Sequence, residues 1–423
     1  MTDPAATLKP SPIGKPDAAT GIYRHGFGLK SAVEQDISGD YTCQIVDCVK
    51  QADYTLELPG LEINLAREFG FCYGVDKAID YAYQTRRMFP DKRIFLTTEI
   101  IHNPRVNRRL LDMGIQFLSG QYKGDTGYDE VTPDDVVILP AFGASVQEVE
   151  TLRKRSCTIV DTTCGSVIHV WKRVEKYAKE GFTAVIHGKY SHEETIGTSS
   201  HVTQFPGGQY IVVRDKDEAQ LVCDFIRGTV PVDVIRNKFS RATLPGFDPE
   251  RDLQRVGVAN QTTMLSSESL EIAGMLKQAM ADRYTAGELD AHFRSFDTIC
   301  SATQERQDAV QALVARDLDL ILVVGGFNSS NTTHLIEIAN HYTRAFHIED
   351  VAHLVSPTEL RHKRWDSHQV ETAENWLPKL PLRVGFTAGA STPNRAIGEV
   401  IERVVDFCGL AGELRQRCAA SHT

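Results

Sequence analysis

From residue 61 onward, short apolar runs alternate with stretches whose apolar residues recur at helical spacing. Runs at 61–66, 93–97, 136–140, 158–160, 184–187, 210–213, 256–259, 318–324 and 382–387 read as strands, and a helical pattern follows most of them. Such alternation marks parallel α/β units, because a parallel neighbour requires a crossover long enough to hold a helix. With 423 residues there is room for roughly two or three domains. Ligands of such sheets gather at the carboxyl ends of the strands. Polar residues at those ends are therefore the ones to weigh.

The first of these ends is Gly70-Phe71-Cys72-Tyr73-Gly74-Val75, after which Val75, Ala78, Ile79 and Ala82 recur at helical spacing. Cys72 thus sits on a glycine-flanked strand-to-helix turn, where backbone N–H groups favour a thiolate. His102 stands just before a helix that starts with Pro104. Asp161-Thr162-Thr163-Cys164 ends another strand, and Cys300 precedes a further helix. Cys72, Cys164 and Cys300 each open their own α/β unit, which predicts three similar domains meeting at one point. The divisions fall as an extension over 1–60, domains over 61–164, 165–298 and 299–395, and a C-terminal helix and tail over 396–423.

Three convergent thiolates suit zinc or an iron–sulfur cluster. Zinc sites usually show a short-spaced ligand pair, and none occurs here, so the spacing favours a [4Fe–4S] cluster with one iron left open to substrate. The chain has nine cysteines, no C-x-x-C and no secretion signal, which disfavours a disulfide framework. Cys43 and Cys48 lie five apart in a helical pattern and do not share a face well, Cys157, Cys223, Cys408 and Cys418 stand in no motif, and all six read as packed or incidental thiols.

Ser329, Ser330, Asn331, Ser391 and Thr262 place hydroxyls and amides at helix starts. Singly each is a helix cap; together, with His102 and His192, they make an anion site for a phosphate or diphosphate. Neither a Walker lysine nor a G-x-G-x-x-G is present, which argues against a nucleotide. His192-Glu193-Glu194 puts a carboxylate at the same sheet mouth. Glu194 can serve as a proton donor if burial raises its pKa; the alternative is a solvated first helical turn.

The formal net charge of −10 argues against a nucleic-acid binder. No apolar run approaches a membrane span. Residues 1–20, rich in Pro, Ala and Thr, lack the apolar core of a secretory signal and the arginines of a transit peptide. They read as a flexible tail on a cytoplasmic protein.

From about residue 61 to about 405 the chain resembles the IspH/LytB family of 4-hydroxy-3-methylbut-2-enyl diphosphate reductases. The resemblance rests on Gly70–Val75, Ile101-His102-Asn103, Asp161–Cys164, His192-Glu193-Glu194, Gln261-Thr262-Thr263, Ile299–Thr303, Asn328–Asn331 and Thr387–Ser391, in the family's order. It implies a trefoil of three α/β domains around a central iron–sulfur cluster held by Cys72, Cys164 and Cys300. It implies that His102, His192, Ser329, Asn331 and Ser391 grip a diphosphate, with Ser330 alongside. Thr262 would lie by the substrate hydroxyl and Glu194 would deliver protons to it. The implied reaction is reductive dehydroxylation of (E)-4-hydroxy-3-methylbut-2-enyl diphosphate, its oxygen bound to the open iron. Isopentenyl and dimethylallyl diphosphate would be the products, ending the methylerythritol phosphate route to isoprenoids. Ferredoxin or flavodoxin would supply electrons singly. Where many members carry Ala-His-Gly this chain has Ala141-Phe142-Gly143, so it looks like the plastid-type branch, and Phe142 takes no catalytic role. That branch also carries an N-terminal extension and a run like 189–194, and it favours ferredoxin. A hydro-lyase with a three-cysteine cluster and a non-enzymatic iron–sulfur sensor are the rivals. The first would want arginines at the strand ends, and the second a basic recognition element.

Overall fold

The computed structural model describes residues 14–17, 20–285 and 287–420. The flexible tail expected over 1–20 lies largely outside them. The chain divides into two compact units, one from Met1–Asp40, Gly74–Ile101 and Arg105–Cys164, the other from Tyr41–Tyr73, His102–Pro104 and Gly165–Thr423.

The first unit holds a five-stranded parallel sheet in the order Ile22–Tyr23, Thr158–Asp161, Val136–Leu139, Ile94–Leu96, Ile115–Phe117. Val136–Leu139 is buried along its whole length. That is why it reads as an unbroken apolar run rather than an alternating one. Ser145 starts the following helix Val146–Lys154 with a reciprocal cap: its hydroxyl accepts from Glu148 N–H, and its own N–H donates to the Glu148 carboxylate.

The second unit holds two sheets. One is four-stranded and parallel, in the order Phe293–Ser295, Val256–Asn260, Thr183–His187, Tyr210–Val213. The other is eight-stranded, with a parallel centre of Ala345–Ile348, Leu320–Val324, Leu382–Ala388 and Leu61–Leu65. Thr55–Leu58 closes one edge antiparallel. Leu354–Ser356, Glu359–Lys363 and Val370–Glu374 extend the other edge antiparallel. Alternation along Leu320–Val324 feeds two cores. Leu320, Leu322 and Val324 pack with Val46, Val49, Val400 and Val404, while Ile321 and Val323 pack with Val310, Leu313 and Leu335.

Most of the strands read from the sequence are present, and the class is α/β with parallel sheets. The strand Leu61–Leu65, expected to open the domain over 61–164, pairs with Leu382–Ala388. The expected extension over 1–60 contributes Ile22–Tyr23 to one sheet and Thr55–Leu58 to another, with helices Lys30–Tyr41 and Gln44–Gln51 between. Cys48 and Cys418, read as incidental thiols, instead form a disulfide between the helices Gln44–Gln51 and Ala411–Ala420. No helix among the described residues is long and apolar enough to cross a membrane.

Candidate active site

Within the second unit, the strand ends bring His102, His192, Glu194, Thr262, Ser329, Ser330, Asn331 and Ser391 into one hydrogen-bonded neighbourhood. His192 caps the helix Glu193–Val202 with its side chain, Nδ1 accepting from Glu194 N–H at 3.1 Å. Its Nε2 lies 3.2 Å from Nε2 of His102. The Ser391 hydroxyl donates to the His102 carbonyl at 3.1 Å, and the Asn328 amide nitrogen lies 3.3 Å from His102 Nδ1. A Cβ at position 326 would collide with the His102 carbonyl oxygen, so only glycine permits this approach.

Ser329 caps the helix Ser330–Asn340, its hydroxyl accepting from Thr332 N–H at 3.3 Å. The Asn331 amide oxygen accepts from Ala390 N–H at 2.9 Å. Its amide nitrogen is buried without a partner among the described residues. A buried donor left unmatched costs stability unless an acceptor arrives, which is what an oxyanion supplies.

Glu194 is 2% exposed. Its Oε1 accepts from Thr262 N–H at 2.6 Å and its Oε2 from the Thr262 hydroxyl at 3.0 Å. Burial pushes its carboxyl up to about 7, against the pull of those two bonds. Glu193 is more exposed and reaches His102 Nε2 only at 3.7 Å. Burial, with His102 and Lys189 adding to it, holds His192 well below the usual histidine range, so the ring is neutral.

His102, His192 and Glu193 bring ligand atoms within 4.8 Å of one another. A metal on His192 Nε2 would need a bare nitrogen there and a proton on Nδ1. The Nδ1 lone pair is taken by Glu194 N–H, so the neutral ring carries its proton on Nε2. With its proton on Nε2, His192 is set to donate there rather than to ligate a cation.

Cys300 caps the helix Ser301–Val314, its sulfur accepting from Thr303 N–H at 3.3 Å and lying 2.9 Å from the Thr303 hydroxyl. Its N–H donates to the Thr262 carbonyl at 3.4 Å, tying the cysteine to the Glu194 partner. Burial pushes the thiol up to about 11, and negative charge on Cys72 and Glu194 adds to the shift. The N–H of Cys72 donates to the Ala390 carbonyl at 3.2 Å, beside Ser391. Cys164 lies in the first unit, where its N–H donates to the Ala141 carbonyl at 2.8 Å.

A family model described as LytB protein matches residues 63–405. The chain belongs to the LytB family. It is 47% identical over 389 residues to the 4-hydroxy-3-methylbut-2-enyl diphosphate reductase of Thermosynechococcus vestitus, covering 92% of this chain and 95% of that one. The reductase of Gloeobacter violaceus is 47% identical over 392 residues, at 92% and 93% coverage. Among solved structures, the E-1-hydroxy-2-methyl-but-2-enyl-4-diphosphate reductase from Plasmodium falciparum shares the fold, with a TM-score of 0.58 at 22% identity, over 82% of this chain and 89% of that one.

Three residues of this LytB family member were given no role by sequence reasoning. Arg306, 3% exposed, donates from the Cys300 helix to the Gly70 carbonyl at 2.8 and 3.2 Å, to Phe71 at 3.2 Å and to Ala302 at 2.9 Å. It holds the Cys72 turn against the Cys300 helix. Its signal was an arginine on the buried stripe Thr303, Arg306, Gln307, Val310. Gln261 accepts from Lys189 N–H and the Thr195 hydroxyl, and donates to Thr263 and Ser330. Lys77, in the first unit, donates to the Thr163 carbonyl at 3.0 Å; burial lowers its pKa while Asp161 and Cys164 oppose the shift.

Proposed function

We propose that this chain reduces (E)-4-hydroxy-3-methylbut-2-enyl diphosphate to isopentenyl and dimethylallyl diphosphate, the last step of the methylerythritol phosphate route. Membership of the LytB family supports the reading, and so do the named relatives that match nearly the whole chain. The observation that carries the chemistry is Glu194, a buried carboxyl held at about 7 against Thr262 and beside a set of anion donors.

In this reading Cys72, Cys164 and Cys300 hold a [4Fe–4S] cluster. The fit is supported by Cys300, whose buried thiol stays protonated at neutral pH unless a metal takes the proton's place. When bound, such a cluster supplies single electrons and a Lewis-acid iron. A ferredoxin or flavodoxin in the cytoplasm is the donor this assigns. His102 and His192 present imidazole N–H groups to the diphosphate. Ser329, Ser330, Ser391 and the unmatched Asn331 amide nitrogen complete the donor set. Thr262, bonded to Glu194 through its hydroxyl, orients the substrate hydroxyl. Glu194 gives its proton to that oxygen as the C–O bond breaks, turning a hydroxide into water, while two electrons from the donor and a second proton, delivered to the allylic carbon, complete the two products. The near-complete burial of Glu194, Thr262 and His192 keeps competing water away.

A hydro-lyase would require a free arginine for a carboxylate. The buried Arg306 is spent on backbone carbonyls, which disfavours that reading. The test is anaerobic iron and sulfide analysis together with turnover of the allylic diphosphate. Product formation that needs no added reductant would overturn the assignment.

A further inference from the structure

The donors assigned to the diphosphate are hydroxyls, an amide and imidazoles, and none of them is a fixed cation. A diphosphate carries several negative charges, and moving them into a buried site costs free energy unless opposite charge meets them. Two ammonium groups of the second unit stand at the loops that carry those donors. Lys189 lies on the turn between the strand Thr183–His187 and the helix Glu193–Val202. Its carbonyl accepts from His192 N–H at 2.9 Å and its own N–H donates to Gln261 at 3.2 Å, so its backbone is tied to the His192 cap. Lys363 ends the strand Glu359–Lys363, and its ammonium donates to the carbonyl of Phe327, on the loop that leads into Ser329.

Both lysines are half-buried. Burial lowers the pKa of Lys363, and the charge on Lys189 adds to the shift. Burial, then Arg214, lowers that of Lys189. His368 is held down by burial and then by Lys363 and Lys189 together, and Lys189 also acts on His192. The two charges thus bear on one neighbourhood. Among the described residues neither ammonium forms an ion pair, and that of Lys189 makes no hydrogen bond. The carboxylates that act on them are engaged elsewhere, Glu337 with His334 Nδ1 at 3.2 Å and Glu349 with Phe327 N–H at 2.9 Å. Arg214 is likewise bonded to Asp215, at 2.8 and 2.9 Å. Two half-buried cations held near each other without a bonded carboxylate are unfavourable on their own, and an anion beside them removes the cost.

We propose that Lys189 and Lys363 supply the positive charge for the diphosphate: their ammonium groups meet its outer phosphate at the rim of the site while the hydroxyl, amide and imidazole donors grip the rest. The inference rests on the reading of the site as a diphosphate site. Lysine suits this position because it is a compact charge on a flexible stem, able to follow a ligand as it enters. Lys363 spends one ammonium donor on Phe327 and keeps others for the phosphate.

The experiment measures binding of inorganic diphosphate to the anaerobic holoenzyme by calorimetry, from about 20 to about 300 mM salt. Lys189→Gln and Lys363→Gln should each weaken binding at low salt by roughly tenfold to a hundredfold and flatten its salt dependence. The amide introduced by Lys363→Gln can still donate to the Phe327 carbonyl, so its loss reports charge rather than loop structure. Lys189→Arg keeps the charge and should bind more tightly than Lys189→Gln, with the wild-type salt slope. Iron content of each variant checks that the fold is kept. Ser391→Ala, which changes a neutral donor, separates the two levels of the inference. If Ser391→Ala binds diphosphate as wild type does, the site reading fails and the inference with it. If Ser391→Ala weakens binding while either lysine-to-glutamine variant keeps the wild-type affinity or the wild-type salt slope, the lysine assignment alone is overturned.

Discussion

Glu194→Gln removes an acidic proton while keeping the shape of the side chain. The amide oxygen can still accept from Thr262 N–H, and the amide nitrogen can donate to the Thr262 hydroxyl, so both contacts survive. Burial holds the native carboxyl at about 7, where an ordinary glutamate titrates at 4.5. At about 1.4 kcal/mol per pH unit, that difference amounts to about 3 kcal/mol. The folded pKa lies above the unfolded one, so the folded state binds this proton more tightly. Its stability contribution is full below about pH 4.5 and is lost as pH rises to about 7. Glutamine carries no such loss. Glu194→Gln should therefore match wild type near pH 4.5 and exceed it by up to about 3 kcal/mol at about pH 8. Turnover should move the other way, falling by about 10²–10⁴, the usual worth of a general acid. Wild-type kcat should decline as pH rises through about 7, because the carboxyl empties of its proton there. The variant should lack that limb. Glu193→Gln, whose carboxylate is more exposed, should stay within about tenfold of wild type. The assays are anaerobic denaturant unfolding at the two pH values and turnover with a strong one-electron donor, with iron content measured on each protein. Near-normal turnover by a fully loaded Glu194→Gln protein would remove Glu194 from the chemistry. Identical pH dependence of stability in the two proteins would remove the argument from burial.

Replacing Cys72, Cys164 or Cys300 by Ser should abolish most visible absorbance and bound iron, whereas Cys157→Ser and Cys223→Ser should keep both. Burial pushes those last two thiols up to about 11, as expected of inert packed cysteines. A Cys157 variant that loses its iron while the Cys164 variant keeps it would reverse the assignment. Ser391→Ala should weaken diphosphate binding by roughly tenfold to a hundredfold with iron content unchanged, read by calorimetry. Arg306→Leu strips the Gly70 and Phe71 carbonyls of their donor. It should cost about 3 kcal/mol in unfolding free energy and sharply lower iron occupancy.

The sequence by itself determined the fold class and named most of the polar residues that folding brings together at the candidate site. Strands such as Val136–Leu139, Val256–Asn260 and Leu320–Val324 are buried along their length, so they stand out as apolar runs before any partner is known. His102, His192, Ser329, Asn331 and Ser391 stood out as candidates because the ends of such strands are where ligands gather, and their residue types suit a capped anion site. Tertiary structure decided the rest, wherever the outcome depended on distant partners. Ile22–Tyr23 is too short to announce itself and becomes a strand only through its register with Ile159 and Val160. Glu359–Lys363 and Val370–Glu374 are too charged to read as strands and form on the free edge beside Ala345–Ile348. Cys48 meets Cys418 across 370 residues. Arg306 is buried because its partners are carbonyls, which every residue has and no pattern reveals. Glu194 is an acid near neutrality only because burial excludes water from it, against the downward pull of its two bonds from Thr262. A pKa reports the dielectric and the charges around a group, and those are set by residues remote in the chain and adjacent only after folding.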